Sequence, residues 1–235
     1  MENIKDDRGY NQVWGDSKST RIRAERRCDY MISQMEIAAQ KSIMEIGCGT
    51  GKNAFMLAKK TGMKVLGTDL CLPFIEEARK NYPFTNLRYD ILDFNKADQF
   101  KGEKFDYIIG NGILHHLYHH LDEAFTNMRN LLNGNGKIIF LEPNIYNPYV
   151  YLIFSYPALR KMARLEPDEM AFSKRFVSEK LKKAGYGNIQ VDYKDFLLPG
   201  IPDFLISPSV ALGNVFEKIP LVKNVSQSIF ISAVK

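Results

Sequence analysis

The chain has 235 residues, of which 45% are hydrophobic and 25% charged, and it carries a formal net charge of +5. That balance is ordinary for a soluble globular chain, and no apolar run approaches the roughly 20 residues needed to cross a bilayer, which excludes a membrane-spanning protein. The 32 basic residues are scattered among 27 acidic ones rather than gathered in a block, which argues against nucleic acid as a partner.

Three cysteines without C-x-x-C spacing point to a reducing, cytoplasmic compartment and to no zinc or other metal site. The first residues are charged and lack the apolar core of a signal peptide. The length suits one α/β domain with decorations.

Residues 1–40 form a polar lead-in with a lone Trp14, then Arg21, Arg23, Arg26 and Arg27 on a helix expected to run to about Gln40. The indole of Trp14 can anchor this arm to the body. The stretch from Ile43 to Asn53 reads as a buried strand (Ile43, Met44, Ile46), a turn with Gly47, Gly49 and Gly51, and a helix start. Glycines let a ligand approach the main chain, and the next helix offers free N–H groups, so a nucleoside-type ligand is indicated. A dinucleotide fingerprint starting at Gly47 needs glycine where Lys52 stands. A phosphate-binding P-loop needs Ser or Thr where Asn53 stands.

The second strand, Lys64 to Thr68, ends at Asp69, 22 residues beyond Gly47. A carboxylate there can accept hydrogen bonds from both ribose hydroxyls; the other reading is a helix cap. A third strand near Asn86–Asp90 again ends in acid, with Asp90 and Asp93 as rivals. The fourth, Lys104 to Gly110, is an apolar run of the kind buried on both faces, and it leads into Asn111-Gly112-Ile113-Leu114-His115-His116. An imidazole can deprotonate a hydroxyl or ammonium near neutral pH, so His115 and His116 are candidate general bases, His116 preferred. If the segment is helical, two neighbours do not face one pocket.

A helix from about His120 to Leu132 follows, then a fifth strand over Lys137–Leu141 that ends at Glu142 near the histidines. The aromatic stretch from Ile145 to Pro157, with Arg160, Lys161 and Arg164 after it, interrupts the alternation. It reads as an acceptor lid, a dimer contact, packing, or a peripheral membrane contact that two prolines disfavour. A basic helix from Ser178 to Ala184, capped by Gly185, a strand at Ile189–Tyr193, a helix near Val210–Lys218 and a final strand over Gln227–Val234 complete the chain.

E-x-G-x-G-x-G at a strand end, two strand-end acids, the L-H-H-L segment and L-L-x-G-x-G-K before the fifth strand resemble the class I S-adenosylmethionine (SAM) dependent methyltransferases over about residues 40–235. The resemblance implies a doubly wound, seven-stranded Rossmann-like α/β sheet, mostly parallel, with an antiparallel last strand. It also implies an N-terminal helical arm (1–40), a methyltransferase domain (41–235) and a substrate-pocket insertion at about 143–175.

It assigns SAM contacts to Glu45, Gly47, Cys48, Gly49, Gly51, Asn53, Asp69, Leu70, Asp90, Ile91 and Asn111, with Glu45 fixing the turn or receiving the methionine ammonium. Asp69 would take the ribose, and Asp90 with Ile91 the adenine. Trp14, Arg21, Tyr146, Tyr149 and Arg175 would meet the acceptor, and His116, His115 and Glu142 would carry catalysis. The implied reaction is methyl transfer to a hydroxyl of a small molecule. A small amine acceptor, a silent SAM-binding protein and an NAD-dependent oxidoreductase stand as alternatives. Oligomeric state stays open.

Overall fold

The structure is a computed structural model that describes residues 17–93, 102–198 and 200–235. Seven strands, β1 (Ser42–Ile46), β2 (Lys64–Asp69), β3 (Leu87–Ile91), β4 (Phe105–Asn111), β5 (Leu132–Pro143), β6 (Gly187–Lys194) and β7 (Ser228–Val234), form one sheet in the order β3-β2-β1-β4-β5-β7-β6. β7 runs antiparallel between β5 and β6, and the other pairings are parallel. Strand order reverses between β1 and β4, and ligands of doubly wound sheets sit at the carboxyl ends there.

Side-chain alternation sorts the core into two layers. Met44, Ile46, Ile108, Ile138, Phe140, Ile229 and Ile231 pack on one face against Phe125 and Met128 of α4 (Leu121–Leu131) and Val177 and Leu181 of α7 (Lys174–Lys183). The intervening residues Ile43, Tyr107, Ile109, Ile139, Leu141 and Phe230 pack on the other face. There they meet α1 (Lys18–Ile32), α2 (Lys52–Thr61) and α3 (Leu72–Asn81) through Cys28, Met31, Leu57, Ala58, Ile75 and Ala78. A period of two along the strands fixes this partition, because a one-residue slip would exchange the faces.

Three boundaries depart from the sequence expectation. α1 ends at Ile32 rather than near Gln40, because Ser33 caps it and Tyr107 Oη accepts the Glu36 N–H at 2.8 Å, drawing the chain toward the start of β4. β5 begins at Leu132, pairing with Phe105 ahead of a register shift, so the Asn133–Gly136 stretch is strand rather than turn. Near the C-terminus, α8 runs over Asp203–Phe216 and starts well before Val210. After β5, α5 (Pro148–Ser155) supplies Val150 and Phe154 to a small satellite core completed by Ala171, and α6 (Pro157–Ala163) follows with none of its residues buried.

Candidate active site

The loop after β1 is braced from β2. Cys48 N–H donates to the Thr68 carbonyl at 2.9 Å, and Gly49 N–H donates to Asp69 Oδ2 at 2.8 Å. Gly51 has φ +85°, and a Cβ there would lie 2.7 Å from both Ala78 Cβ and Tyr89 Oη, so only glycine serves. Gly49 has φ +52° and open space where its side chain would be, on the approach to the backbone. Buried Glu45 accepts from Asn53 Nδ2 at 2.7 Å, tying β1 to the first turn of α2, while its Oε2 and Asn53 Oδ1 are buried without a hydrogen-bond partner among the described residues. Burial pushes the Glu45 carboxyl up to about 8, against the pull of the Asn53 hydrogen bond.

Asp69 closes β2 with both oxygens engaged, Oδ1 accepting the Cys71 N–H at 2.9 Å, so it helps shape the start of α3 whose N-cap is Cys71. Burial raises its pKa, partly offset by those N–H donors. Leu70, next in the chain, is half exposed. Asp90 and Ile91 sit at the end of β3 on the same edge, the Asp90 Oδ1 accepting its neighbour's N–H at 2.9 Å, with Asp93 two residues on. Asn111 Oδ1 accepts from Arg27 Nη1 at 3.0 Å, so this side chain is held by α1.

Beyond β4 the chain enters a 3-10 turn over Leu114–His120. Glu142, fully buried at the end of β5, caps it: Oε1 accepts the N–H groups of Ile113 and Leu114 at 3.0 and 2.8 Å. Its Oε2 lies 2.9 Å from His115 Nδ1, so the ring takes the Nδ1–H tautomer and presents the Nε2 lone pair. That lone pair faces Glu169 Oε2 at 3.8 Å, and His116 Nδ1 stands 2.9 Å from Glu169 Oε1. The two rings lie 4.2 Å apart and converge on one carboxylate, against the expectation that neighbouring side chains diverge. Burial works to lower the His116 pKa, but Glu169, Glu166 and Glu142 overcome it and raise it. Burial likewise works to raise the Glu169 pKa, and the two imidazoles pull it below its ordinary value.

Glu169, which the sequence places in the Pro167–Phe172 stretch along the acceptor pocket without a chemical role of its own, arrives through the insertion. The segment returns to β5 by an Asn144–Phe172 bridge. Arg160 clamps it, donating to the main-chain carbonyls of Phe154, Glu166, Pro167 and Glu169. Arg160 therefore serves the loop and not an acidic acceptor. Only the acid-rich Glu166-Pro167-Asp168-Glu169 run could have signalled it.

The remaining sequence candidates divide. Tyr146 and Tyr149 are 55% and 56% exposed on the insertion. Arg175 is 87% exposed and pairs with Glu179, so it lies outside the cluster. Arg21 is exposed on α1, whereas Arg23 and Arg27 turn inward to Asp195 at 2.6 and 2.8 Å. Trp14 lies outside the described residues. Cys28, Cys48 and Cys71 are buried and form no disulfide. Although no metal site was expected, His115, His116 and Glu169 bring donor atoms within 4.8 Å of one another. No helix among the described residues is long and apolar enough to cross a membrane.

A family model described as a methyltransferase domain matches residues 44–138. The ribosomal protein L11 methyltransferase of Lactobacillus johnsonii is 35% identical over 101 residues, covering 42% of this chain and 30% of that protein. Methyltransferase GfsG of Streptomyces halstedii is 27% identical over 118 residues, covering 48% of this chain and 42% of that protein. The chain thus spans less than half the length of these curated relatives. The crystal structure of an S-adenosylmethionine dependent methyltransferase from Mesorhizobium loti superposes with a TM-score of 0.65 at 18% identity, covering 88% of this chain and 96% of that one. The strand order, the braced glycine loop and the match over residues 44–138 together make this chain similar to the class I, Rossmann-like SAM-dependent methyltransferases, whose fold it shares.

Proposed function

We propose that the protein transfers the sulfonium methyl of SAM to a hydroxyl of a small-molecule acceptor. The observation that carries this reading is the histidine–glutamate cluster beside the glycine loop. Gly47 abuts Ile113, which precedes the histidines by two and three residues, and a Cβ on Gly47 would come within 2.5 Å of the Ile113 side chain. The loop, Asp69 and the Asp90–Ile91 pair take the cofactor, and the histidines stand on the side from which an acceptor approaches. In the transfer the O–CH₃ bond forms in line as the S–CH₃ bond breaks, leaving S-adenosylhomocysteine. The protein's work is alignment and removal of one proton, for which His116 is the accepting group in reach of its carboxylates.

The arm at 1–40 and the insertion at 143–175 shape the acceptor side in this reading, with Tyr146 and Tyr149 presenting rings and hydroxyls. Three cysteines outside any disulfide suit a reducing cytoplasm. Three carboxylates around two imidazoles also suit a small amine, which makes N-methylation the second reading. The test incubates the protein and SAM with metabolite fractions and measures S-adenosylhomocysteine. Acceptor-dependent product methylated at oxygen supports the first reading, methylation at nitrogen the second, and cofactor binding without turnover in any fraction overturns both.

A further inference from the structure

The geometry points to a divalent transition-metal site formed by His115 Nε2, His116 Nδ1 and the Glu169 carboxylate, with Glu142 as the outer carboxylate that orients His115. This inference rests on the methyl-transfer reading and names what ionises the acceptor.

Four observations converge. First, the donor set is two imidazoles and one carboxylate, a combination that holds first-row divalent ions and leaves coordination positions open. Second, the spacing fits. Ligands at about 2.1 Å from one ion lie about 3.0–3.4 Å from each other, and the two histidine–Glu169 separations of 2.9 and 3.8 Å bracket that range. Third, His115 has the outer support that metal-binding histidines share: its far nitrogen is fixed at 2.9 Å by Glu142, which leaves Nε2 as the coordinating atom. Fourth, His116 Nδ1 is buried and stands 2.9 Å from Glu169 Oε1, so the second imidazole aims a donor atom at the same carboxylate.

The charge balance agrees. Glu142 and Glu169 are almost wholly buried and Glu166 nearly so, against two imidazoles that are neutral when they coordinate. Arg160, the basic side chain over this loop, places its donors on main-chain carbonyls and not on these carboxylates. A dipositive ion meets the surplus. With the ion in place His116 is a ligand and no longer the base. An acceptor oxygen bound at an open position loses its proton to solvent, then forms the O–CH₃ bond as S–CH₃ breaks and the sulfonium becomes a neutral thioether.

The test uses the full chain, stripped with a chelator, and Co²⁺ as the probe. Metal analysis after equilibrium dialysis should give one ion per chain, with visible ligand-field absorption that Zn²⁺ displaces. Glu169→Gln and His115→Ala should abolish saturable binding, and Glu142→Gln should weaken it about 10–100-fold. His119→Ala and His120→Ala, on exposed neighbours, should leave it unchanged. Circular dichroism and calorimetric SAM affinity establish that each variant is folded. Wild-type protein that takes up no Co²⁺, or uptake indifferent to Glu169→Gln, overturns the site. Turnover that proceeds equally with and without metal overturns the metal's part in ionising the acceptor and leaves methyl transfer standing. A chain that binds Co²⁺ but neither binds SAM nor turns over keeps the site and loses methyl transfer.

Discussion

Glu142 and His115 are joined through Oε2 and Nδ1 at 2.9 Å, and the same carboxylate caps the turn that carries the ring. One buried group therefore sets both the tautomer and the position of an imidazole at the end of β4. In Glu142→Gln, an amide NH₂ replaces Oε2 and meets the Nδ1–H and the His115 N–H as a second donor. Methyl transfer should slow by about 10²–10⁴-fold, the range for a mis-set catalytic imidazole, with SAM affinity unchanged. Because a buried cap is damaged, unfolding free energy should also fall by about 1–3 kcal/mol. Single-turnover kinetics, calorimetry and urea denaturation read the three quantities separately, and full activity in this variant would show that His115 needs no orienting acid.

Asp69 belongs to the cofactor side of the same edge. Its carboxylate holds Gly49 N–H at 2.8 Å and Cys71 N–H at 2.9 Å, so it fixes the loop, and in the proposed reading it also takes the ribose. Asp69→Ala and Gly49→Val should each abolish measurable SAM binding in calorimetry. The first removes the brace and the ribose acceptor. The second puts a β-branched residue at φ +52° and fills the open approach. Unchanged affinity in either variant contradicts the placement of the cofactor.

How much of this was legible depends on how local the signal was. The glycine loop, Asp69 and the histidine pair are strand-end features whose placement follows from a buried strand and its turn, and the sheet order brought them to one edge. The pairing of Glu169 with the histidines was not legible, because this residue reaches His116 only after the insertion folds back through the Asn144–Phe172 bridge and the Arg160 clamp. Arg21 looked as suitable as Arg23 or Arg27. What separates them is that residues four apart share one helix face, and the acid that this face meets, Asp195, lies beyond β6.

Glu45 links the loop to the pH dependence of stability. Its carboxyl titrates near 8 in the folded chain against an ordinary value of 4.5, because burial disfavours the anion. Between those values the folded state carries a proton that the unfolded state has released. This group's contribution is therefore fully present below about 4.5 and is lost as pH rises toward 8. Glu45→Gln keeps the amide neutral throughout. Its stability relative to wild type should rise from pH 5 to pH 8, read by urea denaturation at both; an offset that stays constant with pH means that Glu45 is ionised in the fold.

Asp195 tests the dock of α1 on the sheet edge. It is buried, takes Arg23 Nε at 2.6 Å and Arg27 Nε at 2.8 Å, and sits at φ +74°. Burial opposes its ionisation, yet the two guanidinium groups hold its carboxyl below the ordinary 3.8. Asp195→Asn suits the left-handed backbone and removes only the charge, leaving two inward-facing guanidinium groups without their anion. The loss should be about 3–5 kcal/mol at neutral pH, the cost of stripping one partner from a buried pair. The sign with pH is opposite to that of Glu45: this stabilisation is present above 3.8 and is lost as pH falls through the lower folded value. The gap between wild type and Asp195→Asn should therefore close on acidification. A gap that persists in acid would assign the effect to lost hydrogen-bond geometry and not to charge.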